Sequence, residues 1–384
     1  MGSGHFLVEV VDYTSNRLLD FLNGWSENPV WGMLEQMRRD ILEDVESQGV
    51  SIDAGRLTRV ALLKRSVLKR CIYGVDLNEM AVELAKVSLW LDAFTLGAPL
   101  SFLDHHLKQG NSLIGARIRE VEEAVAGAQR DLFTPQHFLQ IGQAVQGMRR
   151  VSFLPDNTPG QVAESRQAYY GALQNVEPLK RVLDVYTSRW FGNEPSKAFD
   201  PALYFLQQPE ALAWRKEPAT PLPSRGGVEL QAIADTTLQA RAAHHFFHWE
   251  LEFPEVFFAP SAAGGQDVEL REDGGFDAVV GNPPYDELSE SALGRPVVER
   301  QYLLSVDIYR PAQISGGRLN WYHFFMVLAI RLAKPEGRTG FIVPMSWMGD
   351  SFTVGVRQWL LSNHAPIVIE AFPQKDDPNN RVFF

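Results

Sequence analysis

Cysteine is nearly absent from the sequence, with one residue, Cys71, among 384. A single cysteine excludes both an intrachain disulfide framework and a zinc site built from cysteines. We expect no metal centre. Such sparse use of cysteine is typical of proteins that work in a reducing cytoplasm.

A membrane-spanning stretch is also lacking. The most apolar candidate, residues 324–330, is far shorter than the ~18 apolar residues that characterise a transmembrane helix. Residues 1–5 do not carry the basic segment that begins a secretory signal peptide. The sequence therefore predicts no association with a membrane.

An excess of positive charge is a third feature that the chain lacks. It has 47 acidic and 36 basic residues, for a formal net charge of −11. Proteins that bind nucleic acid without sequence preference are usually basic, because neutralising phosphates supplies their affinity. The balance argues against such binding by the chain as a whole, but it leaves room for a local basic groove.

The chain is long enough, and at 45% hydrophobic residues apolar enough, to bury a sizeable core. Residues 1–115 and 251–384 alternate strand-like and helix-like patterns, whereas residues 116–250 are polar and largely helical in pattern. We interpret the outer zones as two parts of one α/β domain, and the middle zone as a helical insertion.

The first zone predicts helices on both sides of a strand, and residues 30–70 between the first helix and the strand also have a helical pattern. The strand is the apolar run Cys71–Asp76, which we expect to be buried. The helix His5–Leu22 has apolar residues at Phe6, Val10, Leu18 and Leu22. The helix that follows the strand runs from Asn78, a suitable N-cap, to Phe94. Its apolar positions recur at spacings of three and four residues, at Met80, Leu84, Val87, Leu91 and Phe94.

The third zone predicts strands that alternate with helices. This alternation favours a mostly parallel, doubly wound sheet, in which ligands bind at the carboxyl ends of the strands. The predicted elements are a buried strand at Phe276–Val280, a helix at Leu319–Ala333, a turn at Lys334–Gly337, a strand at Arg338–Val343, a helix at Val354–Leu361 and a strand at Pro366–Ala371.

Asn282-Pro283-Pro284-Tyr285 directly follows the strand that ends at Gly281. The side-chain oxygen of Asn282 and the carbonyl of Pro283 can each accept a hydrogen bond from a planar amino group such as N6 of adenine. Two prolines in succession stiffen the loop that holds these acceptors. Tyr285 offers an aromatic face, and base stacking of this kind contributes ~1–3 kcal/mol. The alternative is a proline-rich turn with no chemical role.

A second group of residues suits a nucleoside cofactor. It begins with a glycine-rich turn formed by Gly2, Ser3, Gly4 and His5. Glycine tolerates positive φ, so such a turn can bring its backbone close to a ligand. Asp76, at the end of a predicted strand, could accept hydrogen bonds from ribose hydroxyls. Asp76 could equally serve only to start the helix that follows.

Two further residues extend this group. Leu77 could lie over an adenine ring, or it could point into the core. Asn111, in the short polar loop Gly110–Leu113, could reach the adenine of the cofactor, or it could belong to an ordinary turn.

Taken in order, these motifs resemble the gamma-type N6-adenine-specific DNA methyltransferases of bacterial restriction–modification and phage-defence systems. The motifs that carry the resemblance are Gly2–Phe6, Tyr73–Asn78, Gly110–Leu113 and Phe276–Tyr285. Two other segments, His248–Phe257 and Lys334–Pro344, are similar to the family's approach to its catalytic strand and to its later helix–turn–strand.

The resemblance implies a Rossmann-like methyltransferase fold with a largely helical insertion, and S-adenosylmethionine as its cofactor. It implies that the turn of Gly2, Ser3, Gly4 and His5 binds the methionine part, that Asp76 binds the ribose and that Leu77 packs on the cofactor adenine. It also implies that Asn282, Pro283, Pro284 and Tyr285 hold the target base. The implied partners are double-stranded DNA with a flipped adenine, and a restriction or specificity partner or a fused domain.

The sequence departs from the family's pattern in three respects. A strand normally precedes the glycine-rich turn, whereas Met1 here adjoins it. Asn111 stands where an aspartate is common. More sheet and a target-recognition region would be expected beyond Phe384. We therefore expect a fragment in which the first strand of the domain is missing and which binds the cofactor weakly.

Three alternative functions stay open at this point. A protein glutamine N5-methyltransferase would use the same Asn-Pro-Pro-Tyr motif, but the long spacing from Gly4 to Asp76 and the long middle zone disfavour it. An inactive module with a methyltransferase fold, which serves in interaction or specificity, is another. A NAD-dependent dehydrogenase is the least favoured, because no acidic strand end follows the glycine-rich turn by about 20 residues.

Overall fold

Helices dominate the architecture, and three two-stranded sheets accompany them among the described residues. The computed structural model describes residues 1–25, 27–126, 135–194, 199–206, 208–222, 230–260, 268–313, 318–366 and 368–370. The chain divides into two units, Met1–Gly274 and Gly275–Phe384. Each unit is described by itself.

The first unit contains twelve helices and four strands among its described residues. In chain order they are α1 (His5–Asn23), α2 (Pro29–Ser47), α3 (Arg59–Cys71), β1 (Gly74–Asp76), α4 (Glu79–Asp92), β2 (Leu107–Gln109), α5 (Ile118–Ala126), α6 (Pro135–Phe153), α7 (Pro159–Ser188), α8 (Phe199–Leu206), α9 (Leu212–Lys216), α10 (Leu230–His244), α11 (Trp249–Glu252), α12 (Pro254–Phe257), β3 (Phe258–Pro260) and β4 (Val268–Leu270). Between residues 118 and 244 every regular element that the structure describes is a helix, as the polar middle zone predicted.

The second unit pairs two strands with helices. Its elements are β5 (Phe276–Gly281), α13 (Glu290–Leu293), α14 (Glu299–Ser305), α15 (Arg310–Gln313), α16 (Trp321–Leu332), β6 (Ala333–Phe341), α17 (Ser346–Gly349) and α18 (Val354–Asn363). The helices predicted over residues 319–333 and 354–361 are confirmed as α16 and α18.

Two of the three sheets are parallel. In the first unit β1 runs parallel to β2, with Gly74 opposite Leu107 and Asp76 opposite Gln109, while β3 and β4 are antiparallel. In the second unit β5 runs parallel to β6. The parallel pairing agrees with the expectation, but a single multi-stranded sheet is not seen in the described parts of the chain.

The helix α4 begins as the sequence predicts, because the side chain of Asn78 accepts a hydrogen bond from the N–H of Met80. The predicted buried face was wrong. Val82, Ala85 and Leu89 are buried. The five residues of the predicted apolar stripe are instead exposed, at 46–72%: Met80, Leu84, Val87, Leu91 and Phe94. The helix is apolar on two faces, and the face with the small residue Ala85 is the one that packs closely against the turn ahead of α1.

The helix α1 is also confirmed, although its buried residues agree only in part with the predicted apolar positions. Leu7 and Val11 are buried with Leu22, whereas Phe6 is exposed and Val10 is half-buried. Leu7 and Val11 join a core cluster with residues of α3 and α4, including Val67 and Leu89. In the first half of the helix the buried residues are thus one position further along the chain than the periodicity indicated, whereas Leu22 is buried as predicted.

The two predicted buried strands are neither as long nor as buried as expected. Cys71 is exposed and ends α3, so β1 is limited to Gly74–Asp76, all half-buried. The strand β5 has the predicted position, but its residues are half-buried or exposed. Burying a parallel strand requires cover on both faces, and within its unit β5 pairs with β6 alone.

The strand β6 begins earlier than expected and contains the predicted turn. Phe276 pairs with Ala333 and Ala278 pairs with Arg338, so residues 334–337 bulge out of the register. Glu336 has a φ of 62° at this point. The strand predicted at 366–371 is not formed at residues 366 and 368–370, and its other residues lie outside the described part.

The segment from His248 to Glu252 connects the parallel pair of β1 and β2 to the helices of the first unit. The Nδ1 atom of His248 accepts a hydrogen bond from the N–H of Ala116, at 3.0 Å, and its Nε2 atom lies 3.0 Å from Oδ1 of the buried Asp184 in α7. The ring of His248 therefore connects α7 to the segment ahead of α5 through both of its nitrogens. Glu250 accepts a hydrogen bond from the N–H of Ile118, at 2.8 Å, where α5 begins.

Glu252 makes the strongest electrostatic connection in this segment. One carboxylate oxygen lies 3.1 Å from Nζ of Lys108 in β2, and the other lies 2.7 Å from Nζ of Lys180 in α7. Both lysines are buried. Burial acts to raise the pKa of Glu252, but Lys180 and Lys108 outweigh it and hold the pKa at about 2. One carboxylate is therefore shared by two buried cations on different elements, and Lys180 also pairs with Glu177, at 3.3 Å.

The amino ends of β1 and β2 meet in a cluster of titratable groups. Tyr73 donates a hydrogen bond to Glu255, at 3.2 Å, and its ring lies 3.7 Å from the ring of His106. Burial raises the pKa of Glu255 to about 7 and lowers that of His106. The cluster is thus held largely uncharged, at the edge opposite to the carboxyl ends of these strands.

No helix in the described ranges is both long enough and apolar enough to cross a membrane.

We predict that Glu252→Gln lowers the free energy of unfolding by about 3 kcal/mol or more, because it leaves Lys108 and Lys180 without their shared counter-ion. Urea denaturation at pH 7 measures the loss. Folding lowers the pKa of Glu252 from 4.5 to about 2. The stabilisation by its carboxylate is therefore complete above pH 4.5 and is lost as the pH falls towards 2. The difference between the wild type and the variant should therefore shrink over that range.

The matched control is Glu164→Gln, which breaks the exposed pair of Glu164 with Arg150. Exposed pairs contribute less than about 1 kcal/mol. Equal losses in the two variants would contradict the role assigned to Glu252.

Candidate functional site

The carboxyl ends of β1 and β2 bring several of the selected residues together. The N–H of Gly110 donates to the carbonyl of Asp76, at 2.9 Å, which sets the loop after β2 beside the end of β1. The side chain of Gln109 donates to the carbonyl of Leu77, at 3.3 Å. Asp76, Leu77 and Asn111 therefore belong to one edge of the parallel pair.

The carboxylate of Asp76 also connects this edge to the glycine-rich turn. Its Oδ2 atom accepts the N–H of Gly2, at 2.8 Å, and lies 3.2 Å from the ammonium of Met1. Its Oδ1 atom accepts the N–H of Asn78, at 3.0 Å, at the start of α4. Burial acts to raise the pKa of Asp76, but the N–H groups of Asn78 and Gly2 and the ammonium lower it overall. The carboxylate is therefore ionised and used by its own chain on both oxygens.

The turn at Gly2–His5 has the backbone that the sequence predicted. Gly2 and Gly4 have φ values of 57° and 89°, which favour glycine. A Cβ on Gly2 would meet no atom within 4 Å, whereas one on Gly4 would lie 2.8 Å from Cα of Ala85. Gly2 is thus open to a ligand, and Gly4 is required for packing against α4.

The two polar residues of this turn are exposed. Oγ of Ser3 lies 2.9 Å from Nδ1 of His5. Ser88 of α4 donates to the carbonyl of Ser3, at 2.8 Å. This bond and the close packing of Gly4 hold the turn on α4.

Leu77 and Asn111 differ in how much of each side chain is accessible to a ligand. Leu77 is 52% exposed, so it does not point into the core. Asn111 is half-buried, and its Oδ1 accepts the N–H of Leu113 at 3.1 Å, which is the geometry of an ordinary turn. The N–H of Asn111 donates to the carbonyl of His245, at 2.8 Å. The contact with residues 245–247 could not be predicted from the sequence, because it joins segments more than 130 positions apart.

The Asn-Pro-Pro-Tyr motif stands at the carboxyl end of β5. Asn282 and Pro284 are exposed, Pro283 is buried and Tyr285 is half-buried. The hydroxyl of Tyr285 donates to Oδ1 of Asn282, at 2.7 Å, and lies 3.3 Å from the carbonyl of Ile342. Burial raises the pKa of Tyr285, so its phenol stays protonated.

The backbone around this motif is constrained on both sides. Gly281 pairs with Phe341, and the N–H of Ile342 donates to the carbonyl of Gly281, at 3.3 Å. After the motif, Glu287 forms an antiparallel bridge with Asn320, just ahead of α16. Asn282 therefore leaves a fixed strand end with its side chain in solvent.

The structure thus gathers the selected residues into two sets. Gly2, Asp76, Leu77 and Asn111 lie in the first unit, where hydrogen bonds connect their loops directly. Asn282 and Tyr285 lie in the second, where they contact each other.

Comparison with known proteins is informative at this point. The sequence profile of the Eco57I restriction-modification methylase family matches residues 70–377. The match covers most of the chain and includes Asp76, Leu77, Asn111 and the Asn-Pro-Pro-Tyr motif. The chain therefore belongs to the Eco57I restriction-modification methylase family.

A relative in Methanocaldococcus jannaschii is named as a type II restriction enzyme and methyltransferase, RM.MjaORFECS2P. It is 24% identical over 311 residues, which are 77% of this chain and 23% of the relative. The chain thus spans about a quarter of the length of this relative. No solved structure matches the chain significantly.

We predict that Gly4→Ala destabilises the first unit more than Gly2→Ala does. Both positions have positive φ, so alanine at either one adds backbone strain of about 1–2 kcal/mol. At Gly4 the added methyl group also collides with Ala85, and overpacking of this kind costs a further ~1–3 kcal/mol. Thermal or urea unfolding of the two variants measures the difference. Equal stability of the variants would refute the packing role of Gly4.

Proposed function

We propose that the chain transfers a methyl group from S-adenosylmethionine to N6 of adenine in DNA, within a restriction–modification or phage-defence system. The observation that carries this proposal is the exposed amide of Asn282 at the end of a parallel strand, with the phenol of Tyr285 bonded to its oxygen. Membership of a restriction-modification methylase family supports DNA as the substrate.

The motif suits an amino group that is a poor nucleophile. The lone pair of adenine N6 is delocalised into the ring, and accepting hydrogen bonds from its two hydrogens favours a tetrahedral nitrogen. Oδ1 of Asn282 supplies one acceptor and the carbonyl of Pro283 supplies another. The ring of Pro283 is buried, which anchors the loop. The half-buried ring of Tyr285 is suited to stack on the base, which contributes about 1–3 kcal/mol.

The residues of the first unit fit a nucleoside cofactor. A carboxylate accepts up to about four hydrogen bonds, and three donors approach Asp76, so a ribose hydroxyl can still be accommodated. Leu77 offers an exposed apolar surface for an adenine. The backbone of Gly2 is open. When bound, S-adenosylmethionine supplies a methyl group on a positively charged sulfur.

The polar side chains near this position have more limited roles. Oδ1 of Asn111 is used within its own loop, so the amide nitrogen is the group that we assign to the cofactor adenine. Ser3 and His5 contact each other. Both are exposed, so they remain accessible to the methionine part of the cofactor.

We propose that both parallel strand pairs belong to a Rossmann-like methyltransferase domain, divided between residues 1–115 and 251–384, with residues 116–250 as a helical insertion. The site residues that follow β1, β2 and β5 occupy the carboxyl ends where ligands bind in such folds. The partners proposed are double-stranded DNA, from which the adenine must flip at a cost of a few kcal/mol, and a restriction or specificity component.

We predict that Asn282→Ala reduces methyl transfer to DNA by at least about 100-fold, because one acceptor for the amino group is lost. The chain is incubated with methyl-labelled S-adenosylmethionine and DNA, and N6-methyladenine is quantified after hydrolysis. Asn363→Ala, at the end of α18 in the same unit, is the control and should leave the label unchanged. Label on protein instead of DNA would overturn the proposal in favour of glutamine methylation.

We predict that Asp76→Ala weakens the binding of S-adenosylmethionine by about tenfold or more, because hydrogen bonds to a charged group contribute about 1.5–3 kcal/mol. Calorimetric titration measures the affinity. Asp92→Ala is the matched control, since its side chain is equally exposed, at 19%, and pairs with Lys64. Unchanged affinity in Asp76→Ala would remove this residue from the cofactor site.

A further inference from the structure

The hydroxyl of Tyr285 faces two acceptors. Oδ1 of Asn282 lies at 2.7 Å and the carbonyl oxygen of Ile342 at 3.3 Å. A phenol has one proton to donate, so it can serve one of these oxygens at a time. The shorter distance favours donation to Asn282.

The two acceptors occupy equivalent places in the sheet. Asn282 follows β5 and Ile342 follows β6 directly, and the parallel register sets Gly281 opposite Phe341. The N–H of Ile342 donates to the carbonyl of Gly281. The Tyr285 hydroxyl therefore lies between two neighbouring strand ends whose separation is fixed by backbone hydrogen bonds.

This arrangement determines which end of the Asn282 amide is held. The side chain is exposed, and an unrestrained amide could present either its oxygen or its NH₂ group to a ligand. An NH₂ group cannot accept a hydrogen bond from an amino group. A donor at 2.7 Å holds the oxygen beside Tyr285 and so selects the rotamer with the correct polarity.

We propose that the Tyr285 hydroxyl is a positioning group that orients Oδ1 of Asn282 towards an incoming exocyclic amino group and then turns to the Ile342 carbonyl as that group binds. The second acceptor matters because the phenol proton stays hydrogen-bonded when the amino group takes its place at Asn282. The inference rests on the proposed function, and it assigns to the hydroxyl a role separate from stacking by the ring.

The test measures recognition of the amino group without turnover. The probe is an oligothymidylate with one adenine, and its partner carries unsubstituted purine, which has no amino group, at the same position. Thymine also lacks an exocyclic amino group, and a single strand removes the cost of base flipping. Fluorescence anisotropy with the full 384-residue chain yields both affinities, and their ratio is the preference for the amino group.

We predict that Tyr285→Phe lowers this preference by about three- to tenfold, as expected for one hydrogen bond, while affinity for the purine probe changes less than twofold. Retained purine binding shows that the ring and the fold are intact. Tyr285→Leu should weaken binding of both probes, because it removes the ring, and should lower the preference as Tyr285→Phe does, because it also removes the hydroxyl. Tyr13→Phe, at an exposed position in α1, is the control and should change neither affinity.

A double-mutant comparison separates action through Asn282 from an independent role. Asn282→Ala should lose the preference, and adding Tyr285→Phe should produce no further loss. Full preference in Tyr285→Phe, or additive losses in the double variant, would overturn the inference and leave the proposed function standing. A wild-type chain with no preference for adenine over purine would overturn the proposed function and this inference together.

Discussion

The first unit depends on one carboxylate that two buried lysines share. Glu252 pairs with Lys108 of β2 and with Lys180 of α7, two buried cations on elements far apart in the chain. Uncompensated, such charges would cost several kcal/mol each. His248 forms a hydrogen bond with Asp184, and Glu250 accepts one from the N–H of Ile118. Together with the ion pairs of Glu252, these bonds attach the three-residue strands β1 and β2 to the helices of the first unit. Such short strands could not by themselves hold their carboxyl ends in place.

The candidate site is built at those carboxyl ends by backbone donors. Asp76 keeps its charge because N–H groups of Gly2 and Asn78 approach both of its oxygens. The same bonds fix the glycine-rich turn, so the residue proposed to bind a ribose also orders the loop proposed to bind the methionine part. In the second unit, Tyr285 holds Asn282 in a comparable way. In each case the side chain proposed to meet a ligand is already oriented by a hydrogen bond within a few residues or across a strand end.

The family assignment and the geometry limit the function in different ways. The profile match assigns residues 70–377 to the Eco57I restriction-modification methylase family. The geometry adds what the match does not, namely that Leu77 is exposed, that Oδ1 of Asn111 is engaged in its own loop, and that Asn282 presents an amide to solvent. These details favour Asp76 and Asn282 as the residues whose replacement is most informative.

The sequence by itself determined the local features. Asn78 starts α4 because its side chain caps a helix, glycines occupy positive φ at 2 and 4, and a strand leads into Asn282. Those outcomes depend on neighbouring residues alone. Only the tertiary structure decided which face of α4 is buried, since both faces are apolar and the close approach of Gly4 to Ala85 selects one. The bonds of Glu252 to Lys108 and Lys180 were likewise unpredictable, because periodicity contains no information on contacts between residues more than 70 positions apart.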